Sequence, residues 1–287
     1  MRRLTTIFSG LSAAALLATP ALAQPQTQPQ TGTPAQPAAD LPEADAIFDR
    51  FIEAIGGEEA IRAQKNRAAD GTMTSEDGSY FAFLNVWAAE PALLKTRVEE
   101  PGKPSVEQYF DGRFGWVISA TGEGILLRGA SLRDIAESAT FFAYLEYEKS
   151  FPQRRTAAET TWDGKPAYRV DVVSVFGKRP RLYFAKETGL LLGIETVSAG
   201  PQGDMPSSAI LRNYKEVDGV KVATEVVQNA GGNKITIRYN NYRANIDDFP
   251  EIKLPDRLQE IVDELERRQR EQQEKQGGEP GAGGGGG

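Results

Sequence analysis

The sequence of 287 residues contains no cysteine and no histidine. Without cysteine the chain has no disulfide, no thiol nucleophile and no cysteine-linked lipid, so it must fold by burying a core. Without histidine it lacks the commonest general base and the commonest metal ligand. Because a Gly-x-Ser-x-Gly motif is also missing, a serine hydrolase is excluded. We predict neither a cofactor nor a metal site.

Long apolar segments are also missing. The stretch from Ile7 to Ala18 is too short to span a membrane as a helix, and no later stretch is longer. It follows Arg2 and Arg3 and precedes Ala21-Leu22-Ala23, the pattern of a signal peptide cleaved near Ala23. We therefore expect a soluble protein, periplasmic or secreted, with no stable membrane span. An uncleaved anchor is the alternative.

Positive charge is in the minority. Lys and Arg number 33 against 40 Asp and Glu, and the net charge is −7. Since no basic stripe offsets this balance, the sequence argues against a nucleic-acid partner.

Composition divides the chain into five parts. Residues 1–23 are the signal peptide, and residues 24–42, rich in Pro and Gln, are a disordered tether. Residues 43–255 form the folded domain. Residues 256–276 are a charged helix or coil whose first half carries Leu258, Ile261, Val262 and Leu265, so only that half can dock. Residues 277–287 are a disordered glycine-rich tail.

Most of the folded domain alternates between apolar and polar residues, the pattern of β-strands. Pairs such as Asp111-Gly112, Asp163-Gly164 and Asp218-Gly219 separate the alternating segments and favour tight turns between antiparallel neighbours. The pattern predicts thirteen strands, at about 68–76, 79–89, 92–99, 105–111, 114–119, 124–128, 155–162, 166–175, 179–186, 190–198, 207–215, 220–229 and 233–243.

Helices are predicted at two places. Apolar residues at three- and four-residue spacings predict an opening helix that ends at Gly56-Gly57, with a second short turn over 58–64. Ser131 and Asp134 form a capping pair that begins a central helix. The apolar face of that helix comprises Ile135, Ala139, Phe142 and Leu145.

Several strands are apolar on both faces. In the segment 79–89, Phe81, Phe83 and Trp87 share one face, and Tyr80, Leu84 and Val86 share the other. Such a sheet must be covered twice, by helices on one side and by a ligand or a far wall on the other. The pocket candidates, chosen by face and bulk, are Phe81, Phe83, Trp87, Trp116, Ile118, Phe142, Leu182 and Phe184. The alternative is an ordinary hydrophobic core.

Charged side chains provide weaker candidates. Asp247-Asp248, Glu99-Glu100 and Glu146/Glu148 are the acid pairs that could serve a hydrolase or bind calcium. Arg179 and Arg181, with Lys178 beside them, or Arg154-Arg155, could hold an anionic head group or a partner's carboxylates. Solvated turns and a charged outer face are the alternatives.

Several motifs carry a resemblance to a known family. They are Ala54-Ile55-Gly56-Gly57, Gly71-Thr72-Met73, Tyr109-Phe110-Asp111-Gly112 with Gly115-Trp116, Leu182-Tyr183-Phe184 with Glu187 to Leu191, and Tyr214 to Val222. Over residues 44–245 the chain resembles the LolA/LolB-like superfamily of outer-membrane lipoprotein-sorting-like proteins. The resemblance implies an α+β, mainly β fold in which a curled antiparallel sheet, an unclosed half-barrel, wraps around an N-terminal helix and a central helical lid. It also implies an apolar cavity that receives acyl chains.

Three functions remain as hypotheses. The leading one is a non-enzymatic periplasmic protein that binds an acyl chain, a lipid or the lipid moiety of a lipoprotein between sheet and helices, as a carrier would. The second is an interaction or scaffold module of the cell envelope whose core is filled by its own side chains. The third, a carboxylate hydrolase, requires neighbouring acids inside a cleft.

Overall fold

The computed structural model describes residues 41–200 and 203–277. The predicted signal peptide, residues 24–40 of the tether and residues 278–287 of the tail lie outside the described residues.

Thirteen strands form one antiparallel sheet. In chain order they are β1 (Asn66–Ser75), β2 (Phe81–Ala89), β3 (Leu93–Glu99), β4 (Val106–Phe110), β5 (Gly115–Ile118), β6 (Gly124–Leu126), β7 (Gln153–Trp162), β8 (Lys165–Val173), β9 (Arg181–Ala185), β10 (Leu191–Gly200), β11 (Gly203–Val217), β12 (Val220–Ala230) and β13 (Asn233–Ala244). Every predicted strand is present, and no predicted end differs from the observed one by more than four residues.

The order of strands across the sheet is β6-β5-β4-β3-β2-β1-β13-β12-β11-β10-β9-β8-β7. The first and last strands therefore pair in the middle, and β6 and β7 are the two edges. The sheet is not closed into a barrel, which confirms the predicted curled half-barrel. Two of the turns use the residues that the sequence indicated, since Asp163, Gly164, Asp218 and Gly219 all have positive φ.

Five helices accompany the sheet in the described residues: α1 (Ala44–Ala54), α2 (Gly57–Ala63), α3 (Gly129–Ala139), α4 (Tyr147–Ser150) and α5 (Asp256–Gly277). The opening helix ends at Ala54, just before the predicted Gly56-Gly57 stop. A Cβ added to Gly56 would lie 2.1 Å from the carbonyl oxygen of Gly219, so glycine lets the end of α1 approach the β11–β12 turn.

The predicted start and end of the central helix are wrong. Helix α3 begins at Gly129, and no side chain caps its first residue. Asp134 is instead buried and forms an ion pair with Lys178. The helix ends at Ala139, so Phe142 and Leu145 lie in the turns that follow it.

The two faces of the sheet carry different partners. We call the face that carries α1 and α3 the inner face and the opposite one the outer face. On the inner face Phe48 of α1 is fully buried and stacks on Tyr147 at 4.6 Å between ring centres, with Phe184 of β9 at 5.3 Å. Ile135 and Ala139 of α3 pack in a second cluster with Leu94 and Phe110.

Helix α5 covers part of the outer face. Leu258 and Val262 pack against Trp116 of β5, which is 1% exposed. Arg113 forms an ion pair with Glu266, one helical turn after Val262. The apolar first half of α5 is therefore docked, as the sequence predicted.

Candidate ligand-binding cavity

A cavity of about 360 Å³ lies between the inner face of the sheet and its helical cover. Its floor is formed by residues of β1 to β3 and β9 to β13, and its cover by α1, α2 and residues 137–145. Ligand pockets for small molecules span about 300–1,000 Å³, so the cavity can hold a small ligand or part of a longer one.

Small side chains at three positions of the inner face leave room for the cavity. Ala69 of β1, Ala88 of β2 and Ala209 of β11 line the floor and are at most 6% exposed. Nearer the edges, the inner face carries Phe110 and Phe184, which pack directly against helices. A methyl group fills far less space than an aromatic ring, so the sheet and its cover remain separated in the centre.

The cover is a layer of aromatic and aliphatic side chains. Phe141, Phe142, Tyr144 and Leu145 line the cavity from the turns after α3. The ring of Tyr144 meets Phe51 of α1 edge-on at 5.7 Å between ring centres. Since these rings hold no net charge, the cover offers an apolar surface to a ligand.

A buried ionic cluster fastens α3 beside the cavity. Lys178, in the loop between β8 and β9, places its ammonium 2.6 Å from Asp134 Oδ1 and 3.1 Å from Glu137 Oε2. The side chain of Asp134 is 4% exposed and that of Lys178 is 15% exposed. Lys178 and Glu137 also line the cavity. The cluster joins the helical cover to the sheet.

The polar groups of the wall are largely satisfied by the protein. Gln64 Nε2 donates to the carbonyl oxygen of Val217 at 3.0 Å, and the hydroxyl of Tyr214 donates to that of Leu191 at 2.7 Å. Burial raises the pKa of Tyr214, and that of Tyr144, above the ordinary value for a phenol. Both tyrosines therefore stay neutral at physiological pH.

Two of the eight predicted pocket residues line the cavity. Phe142 lies in the cover and Leu182 of β9 lies in the floor. Both therefore border the space between the helices and the sheet.

Three predicted pocket residues of β2 lie on the outer face, as do two of β5 described below, which corrects their assignment to the cavity wall. Phe81 and Phe83 are 41% and 48% exposed, and their rings meet edge-on at 5.1 Å. Trp87 has the ammonium of Lys95 over its ring at 5.3 Å. Alternation shows that these three share a face but not which face is the inner one.

The remaining three also lie outside the wall. Trp116 and Ile118 belong to the cluster that α5 covers on the outer face. Phe184 is on the inner face but is fully buried among Phe48 and Phe51, so it fills the core instead of bordering the cavity.

The predicted head-group residues point away from the cavity. Arg181 is exposed on the outer face, where it lies 3.5 Å from Glu195, and Arg179 is exposed in the preceding loop. Neither lines the cavity. Lys178 does, but its charge is taken up by Asp134 and Glu137.

None of the predicted acid pairs lies in the cavity wall. Asp247 and Asp248 are exposed, and Glu99 forms an ion pair with Arg97 at 2.9 Å. Hydrogen bonds from Lys149 and Arg62 hold the pKa of Glu146 below its usual value. A general acid needs a raised pKa, so Glu146 is unsuited to that role. In residues 41–200 and 203–277, no cluster of three or more acidic residues could hold a metal.

The sequence prediction did not include five residues that line the cavity. They are the alanines of the floor, Ala69, Ala88 and Ala209, and the basic residues Arg67 and Lys221 at its end. The search favoured bulky side chains, whereas a hollow lies where the inner face carries small ones. An alanine among larger apolar residues on one face of a strand is the signal that could have found Ala69, Ala88 and Ala209.

The sheet order, the helices on the inner face and the cavity between them define a LolA/LolB-like fold. No family model and no curated protein matches the sequence. Solved structures do match. A DUF1329 family protein from Desulfovibrio piger is 13% identical with a TM-score of 0.53, covering 73% of this chain and 98% of its own. A LolA superfamily protein from Nitrosomonas europaea is 13% identical with a TM-score of 0.50, covering 76% and 97%.

At these identities the likeness is one of fold. Over the part of the chain that the structure describes, no helix combines the length and the apolar character needed to cross a bilayer.

Proposed function

We propose that this protein binds an acyl chain or another apolar ligand, without catalysis, in the cavity between its curled sheet and helical cover. The observation that carries the proposal is the cavity itself, about 360 Å³ in volume and lined mainly by Ala, Val, Leu, Ile and aromatic side chains. A ligand there would exchange water for a hydrocarbon wall.

The affinity of such a site comes from apolar area. Burying a methylene contributes about 0.8 kcal/mol, so a chain of about twelve carbons contributes on the order of 10 kcal/mol before ordering costs. Only a few polar groups are needed to fix orientation. Binding of an apolar ligand therefore needs no signature motif in the sequence.

The narrower proposal is a carrier of lipids or lipoprotein acyl chains in the cell envelope. The LolA-like fold supports it, and so does the signal peptide predicted over residues 1–23. Mass spectrometry of the exported protein tests the second point. A mature chain beginning at Gln24 is expected, and a chain retaining Met1 in the membrane would contradict export in soluble form.

Ligand binding is tested with N-phenyl-1-naphthylamine, a neutral dye that fluoresces in apolar surroundings, and with dodecanol as competitor. We expect the purified protein to bind the dye and dodecanol to displace it. Val86→Trp should abolish binding, because Val86 lines the cavity and indole would occupy it.

Val197→Trp is the matched control. Val197 is also a strand residue but is 51% exposed and lies outside the lining. It should bind dye as the wild type does. Equal dye binding by both variants, with their folds intact, would place the dye elsewhere, and no binding by the wild type would overturn the proposal.

One specific observation supports the scaffold hypothesis. Phe81 and Phe83 form an exposed aromatic pair on the outer face, away from the cavity. A scaffold would use such a surface and leave the cavity empty. If the protein is a scaffold, the double variant Phe81→Ser, Phe83→Ser should bind its partner more weakly. If it is a carrier, the same variant should keep its affinity for the dye.

A further inference from the structure

We propose that the ligand is an anionic amphiphile whose head group binds Arg67. This inference rests on the proposed function, since it names the chemical class of the ligand in the same cavity. Three cations, Arg67, Lys178 and Lys221, and a single carboxylate, Glu137, line the cavity among the described residues. A protein with a net charge of −7 thus has a cavity wall with excess positive charge.

Arg67 is half-buried and has no carboxylate partner among the described residues, and Lys221, which has none either, is exposed. The guanidinium carbon of Arg67 lies 4.4 Å from the centre of the Phe141 ring. Its neighbours across the sheet are Ala88 and Ala244, which offer no side-chain acceptor. By contrast, Lys178 has two carboxylates within 3.1 Å. A half-buried guanidinium with free N–H groups is suited to a carboxylate or phosphate, which it can bind in bidentate fashion.

Two of the three cations, Arg67 and Lys221, lie at one end of the cavity. Arg67 is near the beginning of β1, and Lys221 near the beginning of β12. The pairing of β1 with β13 brings Tyr242 opposite Ala69, which follows Arg67 on the same face of β1. Tyr242 also lines the cavity. Lys221 is exposed and lies at this end too, where its backbone N–H donates to the carbonyl oxygen of Ile55. The end is therefore basic and reaches solvent.

The cavity extends from this end over an apolar floor to a far end that carries Gln228 and the paired Lys178. Gln228 pairs with Ile235, and Ile235 pairs with Ser75, eight residues beyond Arg67 along β1. At roughly 3.3 Å per residue this separates the levels of Arg67 and Gln228 by about 26 Å. Between them Val226 and Ile237 line the floor. A charged end followed by an apolar channel matches a molecule with an anionic head and a hydrocarbon tail.

The test compares dodecyl phosphate with dodecanol as competitors of N-phenyl-1-naphthylamine, each below the concentration at which it aggregates. A charge-assisted contact should make the phosphate bind about tenfold more tightly. In Arg67→Gln the two competitors should become equal within about twofold. Arg67→Lys should retain part of the preference. Arg181→Gln, which removes an arginine from the outer face, should retain all of it.

The outcomes separate the two proposals. If dodecanol displaces the dye but the phosphate is no better in the wild type, or Arg67→Gln keeps the preference, the anion site is overturned while the apolar site remains. If neither competitor displaces the dye, the proposed function fails as well. Methyl phosphate serves as the free-anion control, and displacement by it alone would show binding of an ion without a tail and would overturn the amphiphile.

Discussion

The ammonium of Lys178 lies 2.6 Å from Asp134 Oδ1 in the interior of the protein. The contact joins the loop between β8 and β9 to helix α3, two elements that are distant in sequence and meet beside the cavity. Charges removed from water are stable only when paired, so each member of this pair depends on the other.

Replacement of Lys178 by Met should therefore destabilise the protein strongly. Asp134 would remain as a buried carboxylate, and breaking a buried pair in this way costs about 3–5 kcal/mol. Urea unfolding measures the difference. The control is Lys186→Met, whose pair with Glu159 at 2.7 Å is accessible to solvent, and which should cost far less than the change at Lys178. Similar losses in both variants would contradict the role of the cluster.

The aromatic core under α1 gives a second prediction. Phe48 is fully buried against Tyr147, Phe151 and Phe184. Phe48→Ala should lower the free energy of unfolding by about 3–5 kcal/mol, because it leaves a cavity among rings that cannot collapse. Phe83→Ala on the outer face should change it by no more than about 0.5 kcal/mol. A small effect at Phe48 would mean that α1 is not essential to the core.

Local patterns explain why the strands were predictable. Alternation and Asp-Gly turns act over a few residues, and eleven of the twelve strand pairs in the sheet join neighbours in sequence through such turns or short loops. The pairing of β1 with β13 joins residues such as Arg67 and Ala244 and has no local signal. The resemblance to LolA-like proteins implied the half-barrel, but alternation alone did not.

The cavity wall was less predictable for a physical reason. A strand pattern shows that Phe81 and Phe83 share a face, but the choice between inner and outer face is made by distant helices. Helix α3 covers the face that carries Ala88 and Leu94, and α5 covers the face that carries Trp116. Bulk is no guide to the cavity wall either, since Phe184 fills the core.

The C-terminal helix gives a third prediction, in which two truncations should differ. Removing residues after Arg267 takes away the charged second half of α5 and leaves Leu258, Val262 and Glu266 in place. Stability and dye binding should not change. Removing residues after Pro255 exposes Trp116, and the loss of two buried aliphatic side chains should cost about 3–6 kcal/mol.

Tryptophan fluorescence reports this difference directly. The emission of the shorter chain should shift to longer wavelength, because Trp116 moves from 1% exposure into contact with water. An unshifted spectrum would show that α5 is not packed on β5 in solution. If the protein is a scaffold that uses the charged half of α5, the chain that ends at Arg267 should lose its partner. If it is a carrier, that chain should keep its ligand.

Tyrosines with a raised pKa make the stability of the fold depend on pH in the alkaline range. Seven of the nine tyrosines have a raised pKa; for Tyr80, burial and then the charge of Glu100 raise it to about 12, and for Tyr147, burial and the hydrogen bond to Asp49 raise it to about 12. The others are Tyr109, Tyr144, Tyr183, Tyr214 and Tyr239. In the unfolded chain these phenols ionise near pH 10.

Because the folded pKa values are higher, the folded state holds more protons than the unfolded state above about pH 10, and stability falls as pH rises through that range. Below pH 10 the phenols are neutral in both states and contribute no pH dependence. Since the chain has no histidine, no side chain with an ordinary pKa near neutrality adds a transition there. We therefore expect the urea midpoint to be nearly constant from pH 6 to 9 and to fall steeply above about pH 10. Absorbance at 295 nm should show most tyrosines ionising together with unfolding. Ionisation of most of them near pH 10 while the fold persists would contradict their burial.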